Sequence, residues 1–301
     1  MVDSVTLSAA SRSNLLSLQR TSSMISTTQN RLSTGKAVNS AMDDAVKYFQ
    51  AKSLNSRAND LGERKDAIDQ GVSALEATLK ATDGMEDLVK RMKGLIDASR
   101  SQTDSQRTET KNQLFELYKQ VENLVQDASY NGLNLLNDSN AKLTVRFSDK
   151  ANSKIEVNGV DFQDGGYFVA NADGSALLTG APADADAFLS GLGFTADLDA
   201  YTDQSTFDSD ANTAILNLEA TTNNIRAKTA TMATNADILK VRLDFTEDYV
   251  NVLSAGADKL TLADLNEEGA NLLALQTRQS IGVQALSFAG QSEQSVLSLF
   301  R

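Results

Sequence analysis

Apolar residues recur along most of this chain at alternating steps of three and four, the spacing of one helix face. Near the N-terminus Leu15, Leu18, Ser22, Ile25, Gln29 and Leu32 keep that step and predict a helix over 7–32, with two polar holes in its stripe. Residues 33–43 break the pattern. Gly35 suits a helix end, and Ser40 followed by Asp43 suits the cap of the next helix. A long second helix is predicted over 44–99, striped by Leu61, Lys65, Ile68, Val72, Leu75, Leu79, Met85, Leu88, Met92 and Leu95. Its phase slips between Leu79 and Met85, a stammer that overwinds a coil locally. A polar turn at 100–105, capped by Thr103 or Asp104, precedes a third helix reaching Ser129 and carrying Leu114, Leu117, Val121, Leu124 and Ala128.

The period then changes. Asn131-Gly132 marks a tight turn. Leu143-Val145-Phe147 and Ile155-Val157 alternate with polar residues and predict a small hairpin. Residues 159–207 are rich in Gly, Ala and Asp, with scattered Phe162, Tyr167, Phe168, Phe188, Phe194 and Tyr201, and read as a small, mixed, exposed subdomain. Helical spacing returns for twelve positions: Ile215, Leu218, Thr222, Ile225, Thr229, Met232, Ala236, Leu239, Leu243, Thr246, Val250 and Leu253. An interruption is expected at 255–262 around Gly256. A last helix then carries Leu272, Leu275, Gln279, Gly282, Leu286, Ala289, Glu293, Val296 and Phe300. The two terminal stripes are too thin to offset an ordering entropy of roughly 1–2 kcal/mol per residue, so each needs a partner, and each suits the other. The fold class predicted is mainly α: an elongated antiparallel helical bundle or coiled coil built from both chain ends, with a small β-hairpin and a small outer α+β insert.

Charge separates the ends from the middle. Residues 158–214 contain no Lys or Arg and ten Asp, which accounts for most of the formal net charge of −12. Residues 1–42 carry one acid, Asp3, against Arg12, Arg20, Arg31 and Lys36. Nearly neutral apolar ends suit burial against other helices, and a one-sign middle suits solvent. At 301 residues and 41% hydrophobic the chain can bury a core, and 6% aromatics without Trp predict a thin aliphatic one. A single proline, Pro182, permits very long helices. With no Cys and no His, disulfides, thiolate chemistry, imidazole bases and His-based zinc sites or triads are excluded. The acidic balance argues against nucleic acid as a partner. No run of 18 apolar residues exists to span a bilayer, and the first thirty residues do not read as a cleaved signal.

Few constellations suggest chemistry. Asp43-Asp44 could form an acid–base pair, but a cap at the positive end of the second helix fits better. Asp197, Asp199 and Asp203 have the opening spacing of a calcium loop, yet Thr202 stands where that loop needs Gly and Asp208 where it needs Glu, so a solvated acidic face is the better reading. Asn137-Asp138-Ser139 fits an N-glycosylation pattern. No phosphate loop, dinucleotide fingerprint or nucleophile elbow is present. No catalytic residue, cofactor or metal is predicted.

Three stretches resemble a known family. Leu32-Ser-Thr-Gly-Lys-Ala-Val-Asn-Ser-Ala-Met-Asp-Asp44 resembles the N-terminal region of bacterial flagellins, and Tyr130-Asn-Gly-Leu-Asn-Leu-Leu136 resembles their turn after the third helix. Ala270-Asn-Leu-Leu-Ala-Leu-Gln-Thr-Arg-Gln279 and the ending Gln294-Ser-Val-Leu-Ser-Leu-Phe-Arg301 resemble their C-terminus. The match covers about 1–150 and 210–301 and is most similar to the short flagellins of alphaproteobacteria.

The resemblance implies a structural subunit that polymerises into the flagellar filament, the propeller of swimming bacteria. It also implies export through the flagellum's own type III apparatus to the extracellular filament. Partners would be further copies of itself, hook-junction and cap proteins and an export chaperone, with neither membrane nor nucleic acid among them. The expected division is 1–42 as an N-terminal filament-core helix and 43–158 as long helices with the hairpin. Residues 159–207 form a variable acidic surface insert, 208–254 a long helix packing on 43–158, and 255–301 a C-terminal core helix. The expected polymerisation interface is Leu15, Leu18, Ile25, Leu32, Leu272, Leu275, Leu286, Val296 and Phe300, with Gln29, Gln279 and Glu293 fixing register across the helices. Leu7, Leu16, Leu273, Ile281, Phe288 and Leu299 would face neighbouring copies. The ends are expected to order only on assembly. An innate-receptor surface known in some flagellins maps to Arg91, Leu95 and Gln113; the family's Glu is absent at the last, which implies weak or no signalling. The alternatives are a hook–filament junction protein, which shares the ends, and a filament-borne enzyme in the insert.

Overall fold

The computed structural model describes residues 9–170, 174–178 and 180–298. Leu7, Asp173, Leu299 and Phe300 lie outside the described residues, as do the side chains of Glu293 and Val296. The elements in chain order are α1 Ala9–Thr34, α2 Ala45–Ser99, α3 Asp104–Asp127, β1 Ser129–Tyr130, β2 Leu133–Asn134, β3 Lys142–Arg146, β4 Lys154–Asn158, a single 3-10 turn Gln163–Gly165, α4 Ala185–Leu192, α5 Gln204–Thr261 and α6 Leu265–Ser298. The protein is mainly helical, with two small antiparallel hairpins, β1–β2 and β3–β4. It divides into two compact units, residues 60–248 and residues 1–59 with 249–301, and α2 and α5 contribute to both.

In the 60–248 unit, α2 and α5 run antiparallel and α3 lies against both. The α2 seam is Ile68, Val72, Leu75, Thr78, Thr82, Met85, Val89, Met92, Ile96 and Ser99, all buried. The phase slip foreseen from sequence is present but sits earlier, at the consecutive three-residue steps Val72–Leu75–Thr78. The seam passes through two threonines rather than through half-buried Leu79. Their hydroxyls donate to carbonyls of their own helix, Thr78 to Ala74 and Thr82 to Leu79, both at 2.9 Å, so burial leaves no donor unsatisfied. On α5 all twelve sequence-predicted positions are buried or half-buried. The helix does not stop near Gly256: it runs on to Thr261, and a β-carbon at Gly256 would meet Leu54 at 3.5 Å. Ion pairs cross the α2–α5 seam at intervals, Lys65–Glu247 at 3.1 Å, Glu76–Lys240 at 2.8 Å, then Glu86–Arg226 and Lys93–Glu219. The Arg226 guanidinium and then the Lys90 ammonium hold the Glu86 carboxyl down to about 2.

The hairpins close one side of this unit. Asn131 (φ 50°) and Gly132 (φ 81°) are both left-handed, as the two-residue turn between β1 and β2 requires. The β3–β4 ladder runs from Lys142↔Asn158 to Arg146↔Lys154 and sinks Val145 and Val157. Val145 presses on Gly71, where a β-carbon would stand 2.6 Å from Val145 Cγ2. Arg242 lies over the Phe147 ring at 5.1 Å.

The middle segment departs most from a wet acidic insert. Among its described acids Asp161, Asp164, Asp184, Asp186 and Asp203 are exposed and Asp197, Asp199, Asp208 and Asp210 half-buried, but Phe162, Tyr167, Phe168, Phe188, Phe194 and Phe207 are buried and belong to the same core as α2, α3 and α5. Tyr118 of α3 contacts Phe168 and Phe188 at ring separations of 6.2 and 5.0 Å. The core is aromatic here rather than thin and aliphatic. The acids have local duties. Asp184 caps α4, accepting from Ala187 N. Asp203 opens α5, accepting from Ser205 N at 3.2 Å. Asp197 lies 4.0 Å and Asp186 2.7 Å from Lys111 Nζ, and Asp199 accepts from the Thr108 hydroxyl at 2.9 Å. The three acids with calcium-like spacing therefore serve a lysine, a threonine and a helix start. Glu122 is buried on α3. Its two oxygens accept from Asp164 N at 3.0 Å and Gly165 N at 2.8 Å, both residues being left-handed. Burial raises the Glu122 carboxyl pKa against those two hydrogen bonds.

In the other unit, Gly35 (φ 70°) ends α1. Ala37 N and Val38 N donate to Thr261 O, and Ala263 N returns a bond to Gly35 O at 2.9 Å, so the two interhelix turns are laced together. Asp43 is not the helix cap expected from its spacing with Ser40. It accepts from Asn39 N, Ser40 N and the Ser40 hydroxyl, within the turn, while Asp44 caps α2 by accepting from Lys47 N at 3.0 Å. A carboxylate so committed to backbone donors is a structural group, and the Ser40 and Asn39 amides hold Asp43 below the usual carboxylate range.

Candidate assembly surfaces

The helices α1 and α6 pair antiparallel. Arg31 Nη1 meets Glu268 Oε1 at 3.1 Å toward one end, and a β-carbon on Gly282 would stand 2.8 Å from Leu18 Cδ2 further along. The α6 stripe read from sequence is the inward one: Leu272, Leu275, Gln279, Gly282, Leu286 and Ala289 are all half-buried. On α1 only Leu18 and Ile25 of the predicted stripe turn inward. Leu15, Gln29 and Leu32 are exposed, and the buried positions are Ser11, Thr21 and Thr28. The reason is local. The backbones approach closely where Gly282 faces Leu18, which favours small side chains on the inner face, and Thr21 satisfies its hydroxyl on Ser17 O at 2.9 Å.

The inward apolar residues of the pair are only half-buried, and further apolar residues face outward. Among the described residues, no apolar side chain of α1 or α6 is buried. Leu15, Leu16, Met24 and Leu32 of α1 are exposed, as are Leu273 (68%), Ile281 (61%), Val283 and Phe288 (71%) of α6. Isolated exposed apolar residues are unremarkable, but a helix pair with none buried calls for a covering surface.

Arg91, Leu95 and Gln113 do converge. They line a groove of about 610 Å³ between α2 and α3, together with Gly94, Glu109, Asn112, Glu116, Leu117 and Gln120. Two carboxylates, Glu109 and Glu116, line this groove although position 113 itself carries none. Sequence reading missed one further surface, the exposed stripe Ile238, Val241 and Phe245 on α5. Its signal was present as apolar residues falling beside the seam rather than in it.

A long-helix scaffold whose terminal pair leaves Leu15, Leu16, Leu273, Ile281 and Phe288 exposed fits a subunit of a larger structural assembly. The chain belongs to the bacterial flagellins, of the alphaproteobacterial type, and is a structural subunit of the flagellar filament. Residues 5–141 match the family model described as the bacterial flagellin N-terminal helical region. Flagellin FljK of Caulobacter vibrioides is 31% identical over 302 residues, spanning 100% of this chain and 99% of the relative. FljO of the same organism is 30% identical over 95% of this chain and 94% of its own length. The flagellin of Brucella melitensis is 24% identical over 99% of both. A solved flagellar hook-associated protein from Vibrio parahaemolyticus shares the fold, with a TM-score of 0.58 at 11% identity over 73% of this chain and 100% of that one.

Proposed function

We propose that the α1–α6 pair forms the polymerisation surface of the subunit and is completed by neighbouring copies. The interface consists of Leu15, Leu18, Ile25, Gln29, Leu32, Leu272, Leu275, Gln279, Leu286, Val296 and Phe300. One observation carries this reading: the pair buries threonine and serine while exposing leucine, isoleucine and phenylalanine. Taking such a side chain fully out of water contributes roughly 1.5–3 kcal/mol, and neighbouring subunits supply that burial and drive ordering of the ends. Leu18, Ile25 and the inward α6 residues hold the pair together, and Leu15 and Leu32 join Leu16, Leu273, Ile281 and Phe288 on the face toward other copies.

The family supports the remaining parts. The chain leaves the cell unfolded through the flagellar export apparatus, escorted by a chaperone. It meets junction proteins at the base of the filament and a cap at its tip, and acts outside the cell without catalysis. End-to-end similarity to filament flagellins favours the filament itself over the hook–filament junction. The groove at Arg91, Leu95 and Gln113 gives weak or no innate-receptor signalling, read by a receptor-reporter assay on monomer.

The decisive experiment is seeded assembly watched by electron microscopy, using the full chain, a chain lacking 1–30 and 280–301, and Phe288→Ser with Leu273→Ser. The full chain forms filaments, and the other two stay monomeric with the melting of the 60–248 unit unchanged. Truncated chains that polymerise normally refute the reading.

A further inference from the structure

The chain contains the dipeptide Asn-Gly twice, at Asn131-Gly132 and Asn158-Gly159, and the fold holds the two differently. Glycine has no side chain to hinder its nitrogen, so that nitrogen can attack the preceding asparagine Cγ wherever the backbone allows. Asn131 and Gly132 form the exposed turn of the β1–β2 hairpin, whose ladder consists of Ser129↔Asn134 and Tyr130↔Leu133. Gly132 N has no hydrogen-bond partner among the described residues, and a β-carbon on Gly132 would meet nothing within 4 Å. The turn is tethered through Gln70 Oε1, which accepts from the Tyr130 hydroxyl at 2.8 Å and from Asn131 Nδ2 at 3.4 Å. Asn158 ends the longer β3–β4 ladder, opposite Lys142. Gly159 N donates to Ala141 O at 2.7 Å, and Val160 N donates to Leu135 O at 2.7 Å. A β-carbon on Gly159 would stand 2.3 Å from Asp138 O, so this glycine is wedged against backbone.

We propose that Asn131 is a site of spontaneous deamidation in the folded subunit, and that the fold shields Asn158 from the same reaction. Gly132 N gives up its proton to solvent base and attacks Asn131 Cγ. The new N–C bond forms, the Cγ–Nδ2 bond breaks, and Nδ2 takes a proton from solvent and leaves as ammonia. The product is a five-membered succinimide. Water then adds to either imide carbonyl and opens the ring to aspartate or isoaspartate, one water entering for each ammonia lost. Neither asparagine is poised for attack as folded. The left-handed Asn131 (φ 50°) turns the next nitrogen away from its own side chain, and so does an extended strand residue such as Asn158. The rate therefore follows the cost of local opening. At Asn131, opening needs the Tyr130–Leu133 pair and the Gln70 tether to give, in an exposed turn. At Asn158 the end of a longer ladder must peel, the Gly159 and Val160 amides must release their carbonyls, and a wedged glycine must leave Asp138. Isoaspartate carries an extra backbone methylene, which a two-residue turn cannot hold in register. It also places a carboxylate where the Asn131 amide donated to Gln70.

The full chain is aged at mildly alkaline pH, folded or in denaturing urea, and peptide mass spectrometry follows amide loss at each site. Isoaspartate is counted by labelling with a protein-isoaspartate methyltransferase. In the folded chain Asn131 converts at least about tenfold faster than Asn158, because the turn opens far more readily than the ladder end. In urea the two rates converge, since the same dipeptide then sits in open chain. Gln70→Ala removes the tether and speeds Asn131 roughly two- to tenfold, the weight of one hydrogen bond, with Asn158 unchanged. Equal rates at the two sites in the folded chain overturn the proposal. So does a folded Asn131 that stays intact while the unfolded chain converts. If Gln70→Ala speeds both sites alike, the substitution has loosened the fold generally, and Tyr130→Phe decides. That variant loses only the hydroxyl that reaches Gln70, and failure to speed Asn131 alone overturns the proposal.

Discussion

Gly282 of α6 faces Leu18 of α1 so closely that a β-carbon on the glycine would lie 2.8 Å from Leu18 Cδ2 and 3.2 Å from its Cγ. The contact is a test of how the terminal pair closes. The obstructing atoms belong to a flexible side-chain end, so Gly282→Ala is tolerated after a small leucine shift. Gly282→Val forces the helices apart. The expected result is slower seeded assembly for Gly282→Val, with no change in melting of the 60–248 unit. Leu18→Ala in the same chain makes room and restores part of the loss. That coupling, read as a double-mutant cycle in critical concentration, separates a local clash from general disruption.

A second close approach lies inside the 60–248 unit, where a β-carbon on Gly71 would stand 2.6 Å from Val145 Cγ2 and 3.3 Å from Leu239 Cδ1. Both obstacles are branched and buried or nearly so, and three elements meet there. Gly71→Ala overpacks the site and is expected to lower stability by about 1–3 kcal/mol, measured by urea unfolding of monomer. Val145→Ala should recover part of it by vacating the same volume. Additive losses in the double variant would show that the glycine is chosen for some other reason.

Glu86 gives a pH signature. Its carboxyl titrates at about 2 in the folded chain, against an ordinary value of 4.5, because Arg226 and Lys90 bond to it. A depressed acid stabilises the fold above its unfolded pKa and loses that contribution as pH falls toward the folded value. Glu86→Gln should therefore cost about 0.5–1 kcal/mol at neutral pH, the range of a partly exposed pair. The gap from wild type closes as pH drops from about 5 to 2. A gap independent of pH would mean that the pair contributes through packing alone.

The long helices were legible because their seams hold Leu, Ile, Val and Met at helical spacing, and the 215–253 run was read without error at all twelve positions. What stayed hidden has a physical pattern. Thr21, Thr28, Thr78 and Thr82 are buried, yet threonine reads as polar, and its ability to bond its own helix carbonyl is invisible in a hydropathy stripe. On α1 this shifted the predicted face, promoting Leu15 and Leu32 to the seam when the pair turns them outward. Gly256 read as a break because glycine is costly in a helix, whereas α5 continues through it beside Leu54. In the middle segment ten acids dominated the composition and masked rings that carry the packing. Long-range partnership, Phe188 with Tyr118 or Glu122 with Gly165, leaves no periodic trace.

Glu122 is where that hidden partnership is most exposed to test. Its two oxygens are the acceptors for two consecutive amides, Asp164 N and Gly165 N, at the left-handed turn that leads the chain into its aromatic cluster. Glu122→Ala strands both donors, at about 1–3 kcal/mol for each buried unsatisfied group. Amide exchange at 162–168 should rise well before the α2–α5 seam opens. Glu122→Gln keeps one acceptor and should fall between. The pH response runs opposite to that of Glu86. Burial raises this carboxyl, so its contribution is largest below the unfolded pKa and declines as pH rises through the folded one. Tyr167 supplies the control. Its hydroxyl is fully buried without a hydrogen-bond partner among the described residues, so Tyr167→Phe should leave stability equal or higher. A large loss on removing that hydroxyl would show that the phenol, and not the carboxylate with its two amides, anchors the segment.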